Sequence, residues 1–324
     1  MTDLSKIQQV ISKEIKEFDI YFKELLKSNA PLLNIITRYV IRKKGKQIRP
    51  MFVFLTAKML GEINHSSRVA AALIEFMHTA TLIHDDVVDN SHIRRGFFSI
   101  NAVWKNKVAV LVGDYLLSKG LLLSVDNKEY SLLDTVSIAV REMAEGELLQ
   151  IEKARKLDID EQVYYEIIRK KTAVLIAACC SIGAKSVGST EDVVNDMWSF
   201  GENAGMAFQI KDDIFDYDSN NKTGKPFGND IREKKLTLPL IYALRNSTIT
   251  ERKKILKTIN SNNIENIKIQ EVIDFVNSKG GIEYATKIMN DFAGKAIQVL
   301  EKFPDNESKS ALKSLVNFVV EREK

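Results

Sequence analysis

Apolar residues recur every three to four positions along most of the chain, which is the spacing of one face of an α-helix. Between Val69 and Val88 the residues that follow this period are Val69, Leu73, Phe76, Met77, Ala80, Ile83 and Val87. Similar series fill Leu132–Ile151, Tyr164–Ile182, Val193–Phe215 and Ile282–Leu300. Convincing runs of alternating apolar and polar residues are absent. The pattern therefore predicts an all-α protein with roughly a dozen or more helices of about 10–25 residues.

Turn-forming residues are sparse, with 5 prolines and 15 glycines in 324 residues. These turn-forming residues are concentrated near Lys43–Pro50, Ser91–Gly96 and Ser219–Gly228. No Pro- or Ser-rich linker divides the chain, so residues 1–324 are predicted to form a single helical domain.

Composition and charge narrow the class of protein. The chain is 45% hydrophobic and 28% charged, as ordinary globular proteins are. A net charge of +4 without a basic, aromatic-rich stripe argues against nucleic-acid binding and suits a small anionic substrate. Cys179 and Cys180 lie in an apolar run and are predicted to be packing residues. No leader pattern or long uninterrupted apolar run is visible, so we expect a cytoplasmic protein without a transmembrane segment.

Two groups of aspartates share one spacing. The first aspartate cluster is Asp85, Asp86 and Asp89, and the second is Asp212, Asp213 and Asp216. Residues i and i+4 are neighbours on one helix face, with Cβ atoms about 5–6 Å apart. Apolar neighbours flank both clusters, and burying three carboxylates beside them without a cation is costly. Because Mg²⁺ combines a few carboxylates with water and phosphate oxygens, both clusters are predicted to bind Mg²⁺ rather than to be solvated acidic faces.

Cations that suit a phosphate group stand near these clusters or at helix starts. They are Lys46 and Arg49 at a probable helix start, Arg94 and Arg95 after the first cluster, Lys171 at the start of an apolar stretch, and Lys225 and Lys235 after the second cluster. Arginine binds diphosphate through two parallel hydrogen bonds, whereas lysine acts as a point charge. His78 lies seven residues before Asp85 on nearly the same helix face, so it is a candidate ligand for the phosphate as well as a candidate core residue.

The ordered set of these pieces resembles the trans-isoprenyl diphosphate synthase family, and in particular its bacterial long-chain members. The matching pieces are Gly45-Lys46-x-x-Arg49-Pro50, His78, the first cluster, Arg94-Arg95-Gly96, Gly113-Asp114, Lys171-Thr172, Gln209 with the second cluster, Gly224-Lys225 and Thr237-Leu238-Pro239. One departure is visible: the family often has Gly-Lys before the Thr-Leu-Pro segment, and this chain has Lys234-Lys235.

The resemblance implies the isoprenoid synthase fold, with antiparallel helices around a central apolar cavity, in a homodimer. It implies a prenyltransferase that joins isopentenyl diphosphate to an allylic diphosphate such as farnesyl diphosphate, with three Mg²⁺ ions in each active site. The implied metal ligands are Asp85, Asp89, Asp212 and Asp216, and the cluster spacing adds Asp213. Arg94, Lys171, Lys225 and Lys235 would hold the allylic diphosphate, and Lys46, Arg49, His78 and Arg95 would hold isopentenyl diphosphate. Thr172 and Gln209 would direct oxygens at the developing carbocation.

Product length is predicted from two positions beside the first cluster. Thr81 lies four residues, or about 5.4 Å of helix, before Asp85, and Ala80 is its neighbour. In the family, short-chain synthases carry a bulky aromatic residue at one of these positions. Both residues are small here, so a growing tail could pass, and a product of about C30–C50 for a quinone side chain is expected.

Other functions stay open at this point. A shorter-chain farnesyl or geranylgeranyl diphosphate synthase is one alternative. A non-catalytic subunit of a heteromeric synthase is another, but it would be expected to lose aspartates, and both clusters are complete here. A terpene cyclase would lack the second diphosphate site that Lys46, Arg49 and Arg95 suggest. The dipeptide His84-Asp85 also occurs in metal phosphohydrolases, so that function is a further alternative. Its chemistry needs several additional histidine ligands, and the chain has only 4 histidines.

Overall fold

The structure is a computed structural model that describes residues 3–42, 45–94, 97–156, 160–217, 228–261 and 265–321. These residues form sixteen α-helices, one π-helical turn at Arg169–Ala173, and a hairpin of strands β1 (Ile93–Arg94) and β2 (Phe97–Phe98). The helices are α1 Asp3–Val10, α2 Ser12–Leu25, α3 Pro31–Arg42, α4 Ile48–Leu60, α5 His65–Val88, α6 Ile100–Asp126, α7 Tyr130–Lys156, α8 Glu161–Ile168, α9 Val174–Ser186, α10 Glu191–Phe215, α11 Asn229–Arg232, α12 Leu238–Arg245, α13 Ile249–Ile259, α14 Asn266–Ser278, α15 Gly281–Leu300 and α16 Glu307–Glu321.

The all-α prediction is confirmed, and four of the five predicted helical stretches fall inside single helices, namely α5, α7, α10 and α15. The stretch Tyr164–Ile182 differs, because the π-helical turn separates α8 from α9 within it. The hairpin was not predicted, since two-residue strands are too short to show an alternating pattern.

The chain divides into two compact units. The first unit comprises Met1–Val140, Ala178–Trp198 and Phe303–Ser314, and the second comprises Arg141–Ala177, Ser199–Lys302 and Leu315–Lys324. The single domain over residues 1–324 stays a prediction.

In the first unit, α5 packs along α6 and α4. The core beneath them is aromatic: ring centroids of Phe18 and Phe54 lie 5.6 Å apart, and those of Phe22 and Phe76 lie 4.8 Å apart. Such pairs add about 0.5–1.5 kcal/mol each beyond the area they bury. A capping box between Asn64 and Ser67 holds the start of α5, so the helix presents its far end, with the first cluster, in a defined direction.

In the second unit, α10 approaches the π-helical turn and the start of α9 backbone to backbone. A Cβ atom at Gly205 would lie 2.5 Å from Ala173 Cα, and one at Gly201 would lie 2.7 Å from Ala177 Cα. Two glycines four residues apart thus leave a flat face on α10. This close approach brings the π-helical turn and the second cluster together.

Helix α6 is the one helix in the described part of the chain that is long and apolar enough to cross a membrane by length and composition alone. It does contain Asp114 and Lys119, and one of its faces packs against α5. A core helix passes the same test, so α6 is weak support for a membrane span.

Candidate active site

The first aspartate cluster lies at the C-terminal end of α5. Asp85 and Asp86 occupy its last turn, and Asp89 is the C-cap residue. The last turn contains no basic residue, so the carboxylates add to the negative end of the helix dipole instead of compensating it. A cation bound at this end of α5 would relieve both charges.

The expectation that each cluster buries three carboxylates is wrong. Only the middle aspartates are buried, Asp86 at 5% and Asp213 at 4% exposure, whereas Asp85, Asp89 and Asp212 are exposed. The reason is helix geometry, because consecutive side chains point about 100° apart. The middle aspartate therefore turns toward the core while the outer ones stay accessible to a ligand.

Four polar positions on α5 form one stripe at spacings of three, four and four residues: His78, Thr81, Asp85 and Asp89. The stripe passes from the buried His78 to the half-buried Thr81 and the two exposed aspartates. Ala80 lies off the stripe and is fully buried, with 0% exposure. The two positions predicted to set product length are therefore not equivalent.

His84 belongs to the packing between α5 and α6. A Cβ atom at Gly113 would lie 2.1 Å from its Nε2, so this glycine makes room for the imidazole. His84 Nε2 lies 3.3 Å from the Val110 carbonyl oxygen and 3.5 Å from Asp114 Oδ1. This placement accounts for the Gly113-Asp114 motif. It also weakens the phosphohydrolase alternative, since the His84 imidazole is held in the packing against Gly113 and the Val110 carbonyl oxygen.

The predicted helix start beside Lys46 is confirmed. Helix α4 begins at Ile48, and Gln47 at its N-cap has a φ of 52°, in the left-handed region. The Gln47 side chain does not cap the helix, so the backbone N–H groups of Ile48 and Arg49 suit an anion. Lys46 is exposed and Arg49 is half-buried in the first turn. Among the other predicted cations, Arg94 ends β1, while Arg95 and Lys225 lie outside the described residues.

The second aspartate cluster repeats this position at the C-terminal end of α10, again without a basic residue in the last turn. Asp216 follows the helix and accepts hydrogen bonds from the backbone N–H groups of Asn229 at 2.9 Å and Asp230 at 3.0 Å. Both of its oxygens therefore bind the start of α11. Asp212 is the exposed member, and in this structure it is the aspartate of the cluster best placed for a metal ion.

A chain of hydrogen bonds joins Asp213 to the two residues predicted to face the carbocation. Tyr164 donates to Asp213 Oδ2 at 2.7 Å, and Gln209 Nε2 donates to Asp213 Oδ1 at 2.8 Å. Thr172 donates its hydroxyl proton to Gln209 Oε1 at 2.7 Å. Because these protons point into the protein, Thr172 and Gln209 have oxygen lone pairs left for a ligand. Tyr164 was missed from the sequence, since its partner lies 49 residues away.

Burial shifts the ionisation of this network. Burial, and then the charge of Asp230, raises the pKa of Asp213 well above its usual value, although the hydrogen bonds from Tyr164 and Gln209 oppose the shift. Burial, followed by the neighbouring Asp213, likewise raises the pKa of Tyr164. Asp213 therefore anchors Tyr164 and Gln209 through hydrogen bonds, and its role as a metal ligand stays a prediction.

A cavity of about 130 Å³ opens beside this network within the second unit. Its polar lining is Gln150, Lys171, Thr172, Gln209, Asp213, Asp230, Lys235 and Thr237, and its other lining residues are Ala154, Tyr164, Ile167, Ile168 and Leu236. The two lysines bring positive charge to the cavity, and each pairs with acidic residues: Lys171 with Glu147, and Lys235 with Glu233 and, at 3.8 Å, Asp230. The cavity therefore combines cations for a phosphate, oxygens for a carbocation and an apolar wall.

The turn before Lys235 keeps the backbone that glycine favours, although the residue is a lysine. Lys234 has a φ of 57°, in the left-handed region, and the Lys235 N–H donates to the Asp230 carbonyl oxygen at 2.8 Å. The departure from the Gly-Lys pattern thus leaves Lys235 at the cavity.

Comparison with known proteins agrees with this site. The Polyprenyl synthetase family model matches residues 30–276. The chain is 34% identical to octaprenyl diphosphate synthase of Escherichia coli (strain K12) over 323 residues, covering 99% of this chain and 100% of that protein. It is 36% identical to all-trans-nonaprenyl-diphosphate synthase (geranyl-diphosphate specific) of Rhodobacter capsulatus, covering 96% of each. A polyprenyl synthase from Caulobacter crescentus CB15, complexed with calcium and isoprenyl diphosphate, superposes with a TM-score of 0.91 at 31% identity, covering 99% of this chain and 98% of that one.

The helical architecture and the likeness to this solved structure define an isoprenoid synthase fold. The chain belongs to the polyprenyl synthetase family, and it is a prenyltransferase.

Proposed function

We propose that this chain is a long-chain trans-polyprenyl diphosphate synthase, which adds isopentenyl diphosphate to an allylic diphosphate and makes a product of about C30–C50. The observation that carries the proposal is the cavity of the second unit, where Lys171, Lys235, Thr172 and Gln209 meet beside an apolar wall. Cations for the leaving diphosphate, and oxygen lone pairs and an apolar wall for the carbocation, suit the ionisation of an allylic diphosphate.

The aspartates fit a divalent metal ion. Asp85 and Asp89 are accessible, lie one turn apart and stand at the negative end of a helix, and Asp212 repeats that position on α10. These hard oxygen ligands suit Mg²⁺, which leaves most of its sites for water and phosphate oxygens. When bound, Mg²⁺ would neutralise charge on the leaving diphosphate. We propose three Mg²⁺ ions per active site. The calcium in the related polyprenyl synthase structure supports a divalent metal ion in this family of sites.

The residues of the chain divide the work of the reaction. Lys171 and Lys235 stabilise the diphosphate as the allylic C–O bond breaks and its electron pair leaves with the diphosphate. Thr172 and Gln209 turn oxygen lone pairs toward the carbocation that remains. The double bond of isopentenyl diphosphate then attacks this carbon, a C–C bond forms, and a proton is lost to the released diphosphate. Lys46, Arg49, His78 and Arg95 are proposed to hold isopentenyl diphosphate, and Arg94 and Lys225 to join the allylic site.

The long product follows from the small residues beside the first cluster. Thr81 lies on the face of Asp85 and is only half-buried, and its hydroxyl proton is donated to the His78 carbonyl oxygen at 3.0 Å. The side chain therefore presents little bulk to a tail that grows along α5. The proposal extends to a quinone side chain as the use of the product.

Incubation of the purified chain with farnesyl diphosphate, labelled isopentenyl diphosphate and Mg²⁺ tests the function directly. We expect labelled products of about C30–C50, since no aromatic side chain occupies Thr81 or Ala80. Products of C15–C20 would favour the shorter-chain alternative. Phosphate release without a labelled hydrocarbon would refute the proposal, and no activity from the chain alone would indicate a subunit that needs a partner.

Substitutions in the clusters test the metal assignment. Asp85→Ala and Asp212→Ala should each reduce turnover by at least about 10²-fold, as loss of one preorganised stabilising group does. Asp126→Ala is the matched control, because Asp126 is an exposed aspartate that ends the long helix α6 and has no acidic partner at i+4. Near-normal turnover in either cluster variant would count against the metal sites.

A homodimer in the cytoplasm completes the proposal. Helix α6 exposes apolar side chains on the face turned away from the core, with Leu111 and Leu122 each 57% exposed. A second copy of the chain would cover this face, and the two free, buried cysteines suit a reducing compartment. Light scattering should give twice the 36.7 kDa of the chain, and Leu111→Glu should shift the mass toward the monomer. A monomeric wild-type chain would refute the dimer, and co-sedimentation with lipid vesicles would contradict the cytoplasmic location.

A further inference from the structure

The π-helical turn Arg169–Ala173 is held between two helices of the second unit. On one side, Gly205 of α10 leaves room for Ala173. On the other side, a Cβ atom at Gly146 of α7 would lie 2.7 Å from Lys170 Cβ and 3.0 Å from the Lys171 nitrogen. A glycine on each flanking helix thus lets the turn sit tightly between them. π-Helical turns are rare and occur often at functional sites, and this one carries Lys171 and Thr172.

Acidic side chains of α7 pair with the basic side chains of the turn in order. Glu142 contacts Arg169 at 3.4 Å, Glu145 contacts Lys170 at 3.0 Å, and Glu147 contacts Lys171. Of these three cations only Lys171 lines the cavity. The first two pairs therefore fasten the turn to α7 from outside, while the third acts on a residue of the proposed site.

Lys171 has two partners on α7. Besides Glu147, its Nζ donates to Gln150 Oε1 at 3.4 Å, and Gln150 itself lines the cavity. An ammonium group has three protons on a flexible stem, so two fixed acceptors leave one proton for a ligand and define its direction. The side chains of Lys171 and Glu147 are 36% and 29% exposed, so both are partly withdrawn from water.

We infer that Glu147 is a positioning residue that aims Lys171 at the diphosphate, and that Gly146 permits this by letting α7 approach the π-helical turn. The inference rests on the proposed function, because it takes the ligand of Lys171 to be a diphosphate. Glu147 acts through Lys171 and does not touch the substrate.

Glu147→Gln tests the inference, since it keeps the shape of the side chain and removes its charge. Binding of inorganic diphosphate in the presence of Mg²⁺, measured by calorimetry, should weaken by about tenfold, which is the size of one hydrogen bond to a charged group. KM for the allylic diphosphate should rise by a similar factor, with a smaller change in kcat. Glu147→Asp should restore part of the binding, because it keeps the charge.

Glu145→Gln is the matched control, because Glu145 fastens the neighbouring Lys170 to the same helix and does not reach the cavity. It should leave diphosphate binding unchanged. A double-mutant cycle completes the test: in a Lys171→Gln background, Glu147→Gln should add no further loss. Equal losses in the two glutamate variants, tighter binding in Glu147→Gln, or additive losses in the cycle would each overturn the inference. Calorimetry separates the two ideas, since diphosphate can bind whether or not the chain makes polyprenyl products.

Discussion

Asp213→Asn reverses the direction of a hydrogen-bond chain while it keeps the number of bonds. In the wild-type chain, Asp213 accepts from Tyr164 and from Gln209, and Gln209 accepts from Thr172. Asparagine can still accept from Tyr164, but its amide nitrogen must donate to Gln209. The Gln209 amide then turns over and donates to Thr172, whose hydroxyl proton is released toward the cavity.

We expect Asp213→Asn to change the free energy of unfolding little and to reduce kcat strongly. Folding loses no hydrogen bond, and each is worth about 0.5–1.5 kcal/mol net, so the free energy of unfolding should change little from this source. Turnover loses two oriented oxygen dipoles and gains a proton facing a carbocation. Removal of one preorganised group costs about 10²–10³-fold in kcat, so we expect at least about 10²-fold here.

The pH dependence of stability has a defined sign. Burial raises the pKa of Asp213 in the folded protein, so the folded state holds this proton more tightly than the unfolded state. The contribution of Asp213 to stability is therefore fully present below the unfolded pKa and is lost as the pH rises through the folded pKa. Asparagine does not titrate, so the melting temperature of the variant relative to wild type should increase with pH over that window.

Two further variants distinguish a hydrogen-bond role of Asp213 from a metal-ligand role. Tyr164→Phe removes one donor without turning Gln209, so it should cost about 1–3 kcal/mol of stability and affect turnover less than Asp213→Asn does. Asp212→Asn should raise the Mg²⁺ concentration needed for activity, whereas Asp213→Asn should not. Near-normal kcat in Asp213→Asn would refute the hydrogen-bond argument. A Mg²⁺ requirement shifted as in Asp212→Asn would instead support the role of metal ligand that the sequence predicts for Asp213.

Three other predictions follow from single positions. Thr81→Tyr should shorten the labelled product on thin-layer analysis without lowering the melting temperature. Ala80→Tyr should shorten the product and also destabilise the protein, because Ala80 is fully buried. Unchanged product length in both variants would contradict the chain-length argument. Gly113→Ala places Cβ 2.1 Å from His84 Nε2, so it should lower the free energy of unfolding by about 1–3 kcal/mol in thermal or denaturant unfolding. Gly294→Ala is the control, because open space surrounds this position and the substitution should be neutral or stabilising. Equal effects of the two substitutions would refute the packing role of Gly113. The Thr248 backbone N–H, followed by Lys279, lowers the pKa of Glu251 to about 2. The stabilisation that Glu251 provides is therefore present above the unfolded pKa and is lost as the pH falls through about 2. The difference in melting temperature between wild type and Glu251→Gln should disappear over that range, and a constant difference would contradict this prediction.

Local patterns in the sequence were sufficient for the helices and for the spacing of the aspartates. The period of apolar residues depends on neighbours within one or two turns, so α5, α7, α10 and α15 were predicted within a few residues of their ends. The i, i+4 pair Asp85 and Asp89 is local in the same sense. The motifs that resemble a known family added the chemistry, and the family membership of the chain confirms that class of reaction.

Contacts between distant segments required the tertiary structure. Which aspartate of each cluster turns inward depends on the packing around α5 and α10, so the expected burial of all three was wrong. The anchor Tyr164 and the positioning residue Glu147 meet their partners across 49 and 24 residues of chain, through glycines that look unremarkable in sequence. Periodicity records which face of a helix is apolar, but only packing decides which side chain lies opposite it.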